Sequence, residues 1–145
     1  MRRVHLAVLL VLLSAIGARA QTMSVWSGVY TDVQAERGAA GFTGHCANCH
    51  GANLAGTGEA PALVGPQFLS DFDGLSAGDL FDRIRTTMPQ DNPGSLTRDQ
   101  YADILAFVLK ANALPAGVKE LDRRSEYLKV IGFSAAAKPA SGASN

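Results

Sequence analysis

Cys46-Ala47-Asn48-Cys49-His50 is the stretch on which the reading of this chain turns. Its pattern, C-x-x-C-H, is the attachment signature of a c-type haem. Two thiols one helical turn apart reach the two vinyl groups along one porphyrin edge, and the adjacent histidine then lies under the iron with a ring nitrogen to offer it. One pentapeptide thus carries two covalent tethers and one metal ligand. Three other uses of the same residues compete. A thioredoxin-like dithiol wants its C-x-x-C in a βαβ unit, but the residues upstream read as helix and the chain has no strand-rich half. Zinc held by His45, Cys46, Cys49 and His50 would draw all its ligands from one six-residue run, whereas structural zinc is gripped by two separated pairs. A disulfide between Cys46 and Cys49 would leave His50 a coincidence.

Toward the N-terminus, Arg2 and Arg3 precede an apolar run from Leu6 to Ile16, and Ala18-Arg19-Ala20 is an A-x-A cleavage site. Residues 1–20 therefore read as a secretory signal peptide, cleaved after Ala20. An apolar run of about ten residues is too short for a retained membrane anchor, and no later stretch is long and apolar enough to be a membrane helix. Of the 13 Lys and Arg residues, Arg2, Arg3 and Arg19 leave with the signal, so ten remain against 13 Asp and Glu. That mildly acidic balance, without a basic run, argues against nucleic acid as a partner. Both cysteines sit in the motif, and none remains for a disulfide elsewhere. The 125 residues after Ala20 suit one domain, whose modest apolar core would gain a large buried surface from a porphyrin.

The periodicity past residue 20 is helical, and the chain reads as all-α. Gln21 to Tyr30 read as an extended lead-in, with Trp26 either stapling it to the core, the favoured reading, or shielding the haem. Thr31 with Gln34 is a capping-box pair opening a helix through Val33, Ala35 and Phe42 toward the motif. Gly38 and Gly41 each cost such a helix about 1 kcal/mol relative to alanine, which points to another backbone packed close by. Gly51 to Gly74, rich in glycine and proline, reads as a long loop wrapped around something. Here the something would be the haem. Pro61 and Leu63 fall where the loop returns beneath the ring, and a carbonyl near Pro61 is expected to orient the second nitrogen of His50.

Ser76 with Asp79 begins a second helix, Asp79 to Thr87, with Leu80, Phe81 and Ile84 on one face. It stops before Met88-Pro89, because proline disfavours helical geometry in the preceding residue. Thr97 with Gln100 opens a third, Arg98 to about Asn112, with Tyr101, Ile104, Leu105 and Val108 at helical spacing. Leu114-Pro115-Ala116-Gly117 ends it. Val118 to Phe133 predicts a short helix and an apolar clasp of Leu121, Tyr127, Leu128 and Ile131. The domain is expected over residues 21–133, and the small, polar residues 134–145 read as a disordered tail.

A low-spin electron carrier needs a second axial ligand, and methionine paired with histidine raises the reduction potential. Met1 leaves with the signal and Met23 sits at the start of what remains; Met88 lies 38 residues after His50, in Met88-Pro89-Gln90-Asp91-Asn92-Pro93-Gly94. Two prolines stiffen that loop, whereas an ordinary core methionine usually sits on a helix face. His45, next to Cys46, is tethered to the wrong side of the ring for a sixth ligand. Arg83 and Arg85 are either partners of the haem propionates or solvated helix charges.

From about Thr31 to Leu121 these residues resemble the class I cytochromes c. Gly38 and Phe42 look like that family's contact pair on the first helix, and Ile104 and Phe107 like their partners on the last. The resemblance implies a single-domain all-α fold with crossed terminal helices around one covalently bound haem c. Met88-Pro89, Pro93-Gly94-Ser95-Leu96 and the run Tyr101 to Phe107 are similar to the small cytochromes and cytochrome domains that accompany quinoprotein alcohol and sugar dehydrogenases. Residues and resemblance together name Cys46, Cys49, His50, Met88, Pro61 and Leu63 as haem-binding, with His50 and Met88 on the iron and no catalytic residue. They imply a periplasmic carrier, since c-type haem is attached outside the cytoplasm. Its partners would be a dehydrogenase donor and a cytochrome or terminal oxidase acceptor, reached through the haem edge near Ala47 and Pro89. The alternative is a haem enzyme or gas sensor with an open or labile sixth position, for which no distal acid–base histidine is found. A non-catalytic subunit of a larger dehydrogenase complex is a third possibility that composition does not separate from a free carrier.

Overall fold

The computed structural model of the protein describes residues 23–58 and 60–135; the expected signal peptide and the stretch from 136 to 145 lie outside them. The chain enters with β1 (Met23–Ser24) and a 3-10 turn, Val25–Ser27, rather than a plain extended lead-in. Val25, Val29 and Tyr30 are buried in the core. β1 pairs in parallel with β2 (Ile131–Gly132), and Trp26 Nε1 donates to the Ser134 carbonyl at 2.9 Å. The Ala135 N–H reaches the Asp73 carboxylate at 2.8 Å. Ser134 and Ala135, assigned by composition to the tail, are thus anchored to the domain.

Helix α1 (Asp32–His45) starts at Thr31, whose hydroxyl accepts the Gln34 N–H at 3.1 Å. The return bond expected from the Gln34 side chain is replaced by another. Its amide turns inward, donating to the Leu121 carbonyl at 3.0 Å and accepting the Leu121 N–H at 2.7 Å. A buried amide and the buried backbone N–H and C=O of Leu121 satisfy each other there.

Cys46 ends α1 and caps α2 (Ala47–His50), a single turn. Within the stretch expected to be loop throughout, α3 (Pro66–Asp71) forms with Pro66 in its first turn, where the missing N–H is no loss. Its Phe68 packs with Phe72 and Phe133, ring centroids 5.1 and 6.2 Å away. Helix α4 (Ala77–Thr87) carries the reciprocal Ser76–Asp79 capping box and begins two residues before Asp79, the expected start. Helix α5 (Arg98–Ala111) carries the Thr97–Gln100 box. The C-terminal segment adds α6 (Ser125–Leu128).

The core is built on the crossing of α1 and α5. A Cβ on Gly38 would collide with the backbone carbonyl of Asp103, and one on Gly41 would lie 3.2 Å from Ile104. Phe42 and Phe107 meet at 5.3 Å between ring centroids. The helix cost of two glycines is repaid by this approach. Leu121, Leu128 and Ile131 close over the core as expected, but Tyr127 is 53% exposed and Phe133 takes the buried place. The Tyr127 ring instead lies 3.9 Å from the Arg124 guanidinium, where a cation–π contact suits a wet surface. Among the described residues no helix is long and apolar enough to cross a membrane.

Candidate haem site

Helix α1 delivers the motif and α2 winds it: His50 N–H donates to the Cys46 carbonyl and Gly51 N–H to the Ala47 carbonyl, both at 2.9 Å. Cys46 and Cys49 therefore stand one turn apart. Cys46 is half-buried, Cys49 exposed, and both are free thiols rather than a disulfide. Burial, with Cys49 beside it, pushes the Cys46 thiol up to about 11. Among the described residues no three His, Cys, Asp or Glu side chains converge as a metal site, so the zinc arrangement has no geometry here.

His50 is buried, and its Nδ1 lies 2.8 Å from the Pro61 carbonyl. A carbonyl only accepts, so Nδ1 carries the ring proton and Nε2 keeps the free lone pair. Such a bond fixes the plane of the imidazole and raises its basicity toward a metal. The loop that brings Pro61 back is laced to the motif: the Thr57 hydroxyl donates to the Cys49 carbonyl and the Gly56 N–H to the His50 carbonyl. Gly56, at φ +78°, sits where a side chain would strike the Ala60 carbonyl. Asn112, buried at the end of α5, donates to the Leu63 carbonyl at 2.9 Å and accepts the Gly65 N–H at 3.0 Å. Leu63 packs half-buried against the core, while Pro61 is exposed and bonds His50 through its carbonyl.

Met88 is half-buried and caps the end of α4, its N–H on the Ile84 carbonyl at 2.9 Å. The Met88–Pro89 peptide is cis. The Met88 carbonyl accepts the Tyr101 hydroxyl at 2.8 Å. Sequence periodicity places Tyr101 only on the core face of α5; nothing local signals this bond or the one from Asn112. His45 is exposed on the last residue of α1, and Arg83 is exposed on α4. Arg85 contacts Asp82 at 3.4 Å, but its Nε is buried without a hydrogen-bond partner among the described residues.

These residues fit a haem. A free histidine nitrogen next to paired thiols supplies an iron ligand and two tethers. The half-buried apolar side chains of Ala47, Leu63, Val64, Ile84 and Leu96 come from the segments that carry the motif, Pro61 and Met88. The orphan Arg85 Nε suits an anionic oxygen such as a propionate.

A family model described as "Cytochrome C oxidase, cbb3-type, subunit III" matches residues 33–108, just over half of the chain and from α1 into α5. Among solved structures the chain is similar to the sulfane dehydrogenase SoxCD from Paracoccus pantotrophus, with 23% identity and a TM-score of 0.51. That match covers 79% of this chain and 61% of the other, so the chain spans less than two thirds of the length of its structural relative, and the likeness is one of fold. No curated protein matches the chain by sequence.

Proposed function

We propose, because this chain belongs to the class I c-type cytochrome family, that it is an exported electron carrier holding one haem c. Cys46 and Cys49 would hold the group as thioethers, and His50 and Met88 would meet the iron from opposite faces. Pro61 would set the His50 ring, and Leu63 would line the porphyrin. When bound, the haem supplies a one-electron iron couple whose potential a His/Met pair keeps high. The observation that carries this reading is the bond from His50 Nδ1 to the Pro61 carbonyl, which leaves Nε2 as the free nitrogen one residue past Cys49.

The chain's own residues do no bond chemistry in this scheme. With His50 and Met88 both held for the iron, no open position would remain for a substrate, and the work of the fold would be to keep those two side chains at fixed places. The signal-like residues 1–20 support a periplasmic location. The string from Met88 to Phe107 supports a dehydrogenase as donor and a cytochrome or terminal oxidase as acceptor, by its similarity to the cytochromes of quinoprotein dehydrogenases.

The test is co-expression with a haem-attachment system, followed by extraction of the denatured protein into acidified organic solvent. Haem should stay with a polypeptide whose mass corresponds to a start at Gln21. Haem that partitions into the solvent would overturn the assignment of Cys46 and Cys49, and their double alanine variant should yield no holoprotein.

A further inference from the structure

We infer that Tyr101 is the positioning residue for Met88, tying the Met88 loop to the crossing of α1 and α5; the inference rests on Met88 being the sixth ligand. Tyr101 is 1% exposed and stands at the end of the first turn of α5. Its hydroxyl donates to the Met88 carbonyl at 2.8 Å and accepts the Leu96 N–H at 3.4 Å. One phenol oxygen therefore holds both ends of the nine-residue loop Met88–Leu96.

The other bonds of the loop act locally. Asn92 N–H to the Pro89 carbonyl at 3.0 Å and Gly94 N–H to the Met88 carbonyl at 3.4 Å shape the loop without placing it in the molecule. The Met88 N–H joins it to α4. Tyr101 supplies the tie to α5, and two residues further on α5 is itself seated against α1. There the Asp103 backbone fills the space a Gly38 side chain would need, and the Asp103 carboxylate takes both Nε and an Nη of Arg37 at 2.9 Å. Helix α1 then runs directly into Cys46. A continuous path of packed backbone, Cys46 to Gly38 to Asp103 to Tyr101 to Met88, sets the separation between the ligand on the motif and the ligand on the loop. A thioether is a weak ligand, and holding its backbone in place keeps it near the metal whether or not its own bond is momentarily broken.

Phenylalanine at this position keeps the buried ring and removes both bonds. Holoprotein carrying Tyr101→Phe should be compared with wild type and with Tyr30→Phe. Tyr30 is a matched control, also 1% exposed, whose hydroxyl bonds the Leu114 carbonyl at 2.5 Å rather than the Met88 loop. Tyr101→Phe should weaken the sulfur-to-iron charge-transfer absorption of the oxidised form and lower the reduction potential. It should also raise carbon monoxide binding to the reduced form roughly five- to tenfold, the population change that loss of about one net hydrogen bond allows. Amide exchange across residues 89–96 should rise with it. Tyr30→Phe should lose stability and change none of these.

Unchanged absorption, potential and carbon monoxide binding in Tyr101→Phe would overturn the inference and leave Met88 as ligand. Equal changes in Tyr30→Phe would overturn it as well, because the effect would then be general loosening. Wild-type protein lacking the charge-transfer absorption would remove Met88 from the iron and Tyr101's role along with it.

Discussion

Gly38 lies against the backbone carbonyl of Asp103 with no space for even a methyl group between them. Gly38→Ala should gain about 1 kcal/mol of helix propensity and lose more through forced separation of α1 from α5. Overpacking costs about 1–3 kcal/mol and occasionally more, and a clash with rigid backbone lies at the upper end, so a net loss of about 1–2 kcal/mol is expected in chemical denaturation of the holoprotein. Gly44, on the same helix, where a Cβ would meet none of the described residues beyond its own helix within 4 Å, is the contrast. Gly44→Ala should stabilise by up to about 1 kcal/mol.

Met88→Ala should erase the charge-transfer absorption, lower the potential and open the iron to cyanide and carbon monoxide, because thioether ligation favours the reduced metal. His45→Ala, which alters an exposed residue at the end of α1, should do none of these. Rapid carbon monoxide binding by the wild type would favour an enzyme or sensor over a carrier.

Gln34→Ala removes the partners of both the buried Leu121 N–H and the buried Leu121 carbonyl. Unsatisfied buried groups cost about 1–3 kcal/mol each, and water entry will relieve part of that. A loss of about 2–3 kcal/mol is expected by denaturant titration, with limited proteolysis within residues 118–133 appearing well before global unfolding.

Two carboxylates should give the fold an acid limit. Hydrogen bonds from the Ser76 side chain and backbone hold Asp79 below the usual carboxylate range, and the Arg124 side chain holds Asp122 down at about 2. Groups with depressed values stabilise the fold above their unfolded value, 3.8 here, and that contribution disappears as pH falls through the folded value. Thermal stability should therefore decline from about pH 5 toward pH 2. Asp79→Asn and Asp122→Asn should each be less stable than wild type at neutral pH and show a shallower decline in acid. An unchanged acid slope in both variants would assign the decline to other groups.

The helix starts at Ser76 and Thr97 were legible because a capping box is a local device, written in residues three apart. The close approach at Gly38 and Gly41 was legible because glycine inside a helix calls for a neighbour, whereas Phe42 as its companion came from the family resemblance. Gln34 misled for the opposite reason. Its spacing from Thr31 fits a box, yet its partner is Leu121, 87 residues away, and no local rule weighs a distant peptide against a nearby one. The six residues of α3 are too few for a helical period to show, so Pro66–Asp71 read as loop. In the candidate site, the bond from His50 to a carbonyl near Pro61 was readable from chemistry, because an imidazole proposed to meet a metal needs its other nitrogen held. Tyr101 and Asn112 were not, since each bonds a backbone carbonyl and any residue type at Met88 or Leu63 would offer the same atom.

The parallel pairing of Met23–Ser24 with Ile131–Gly132 makes the fold a cassette. Paired strands lie about 4.8 Å apart, so a polypeptide entering at β1 and leaving after β2 crosses into and out of the domain at nearly one point. Domains with adjacent ends tolerate insertion into other chains and circular permutation. A short linker joining Ala135 to Met23, with new ends opened at the exposed Val118, away from the Met88 loop, would ask whether the connection order of the helices matters to the finished protein.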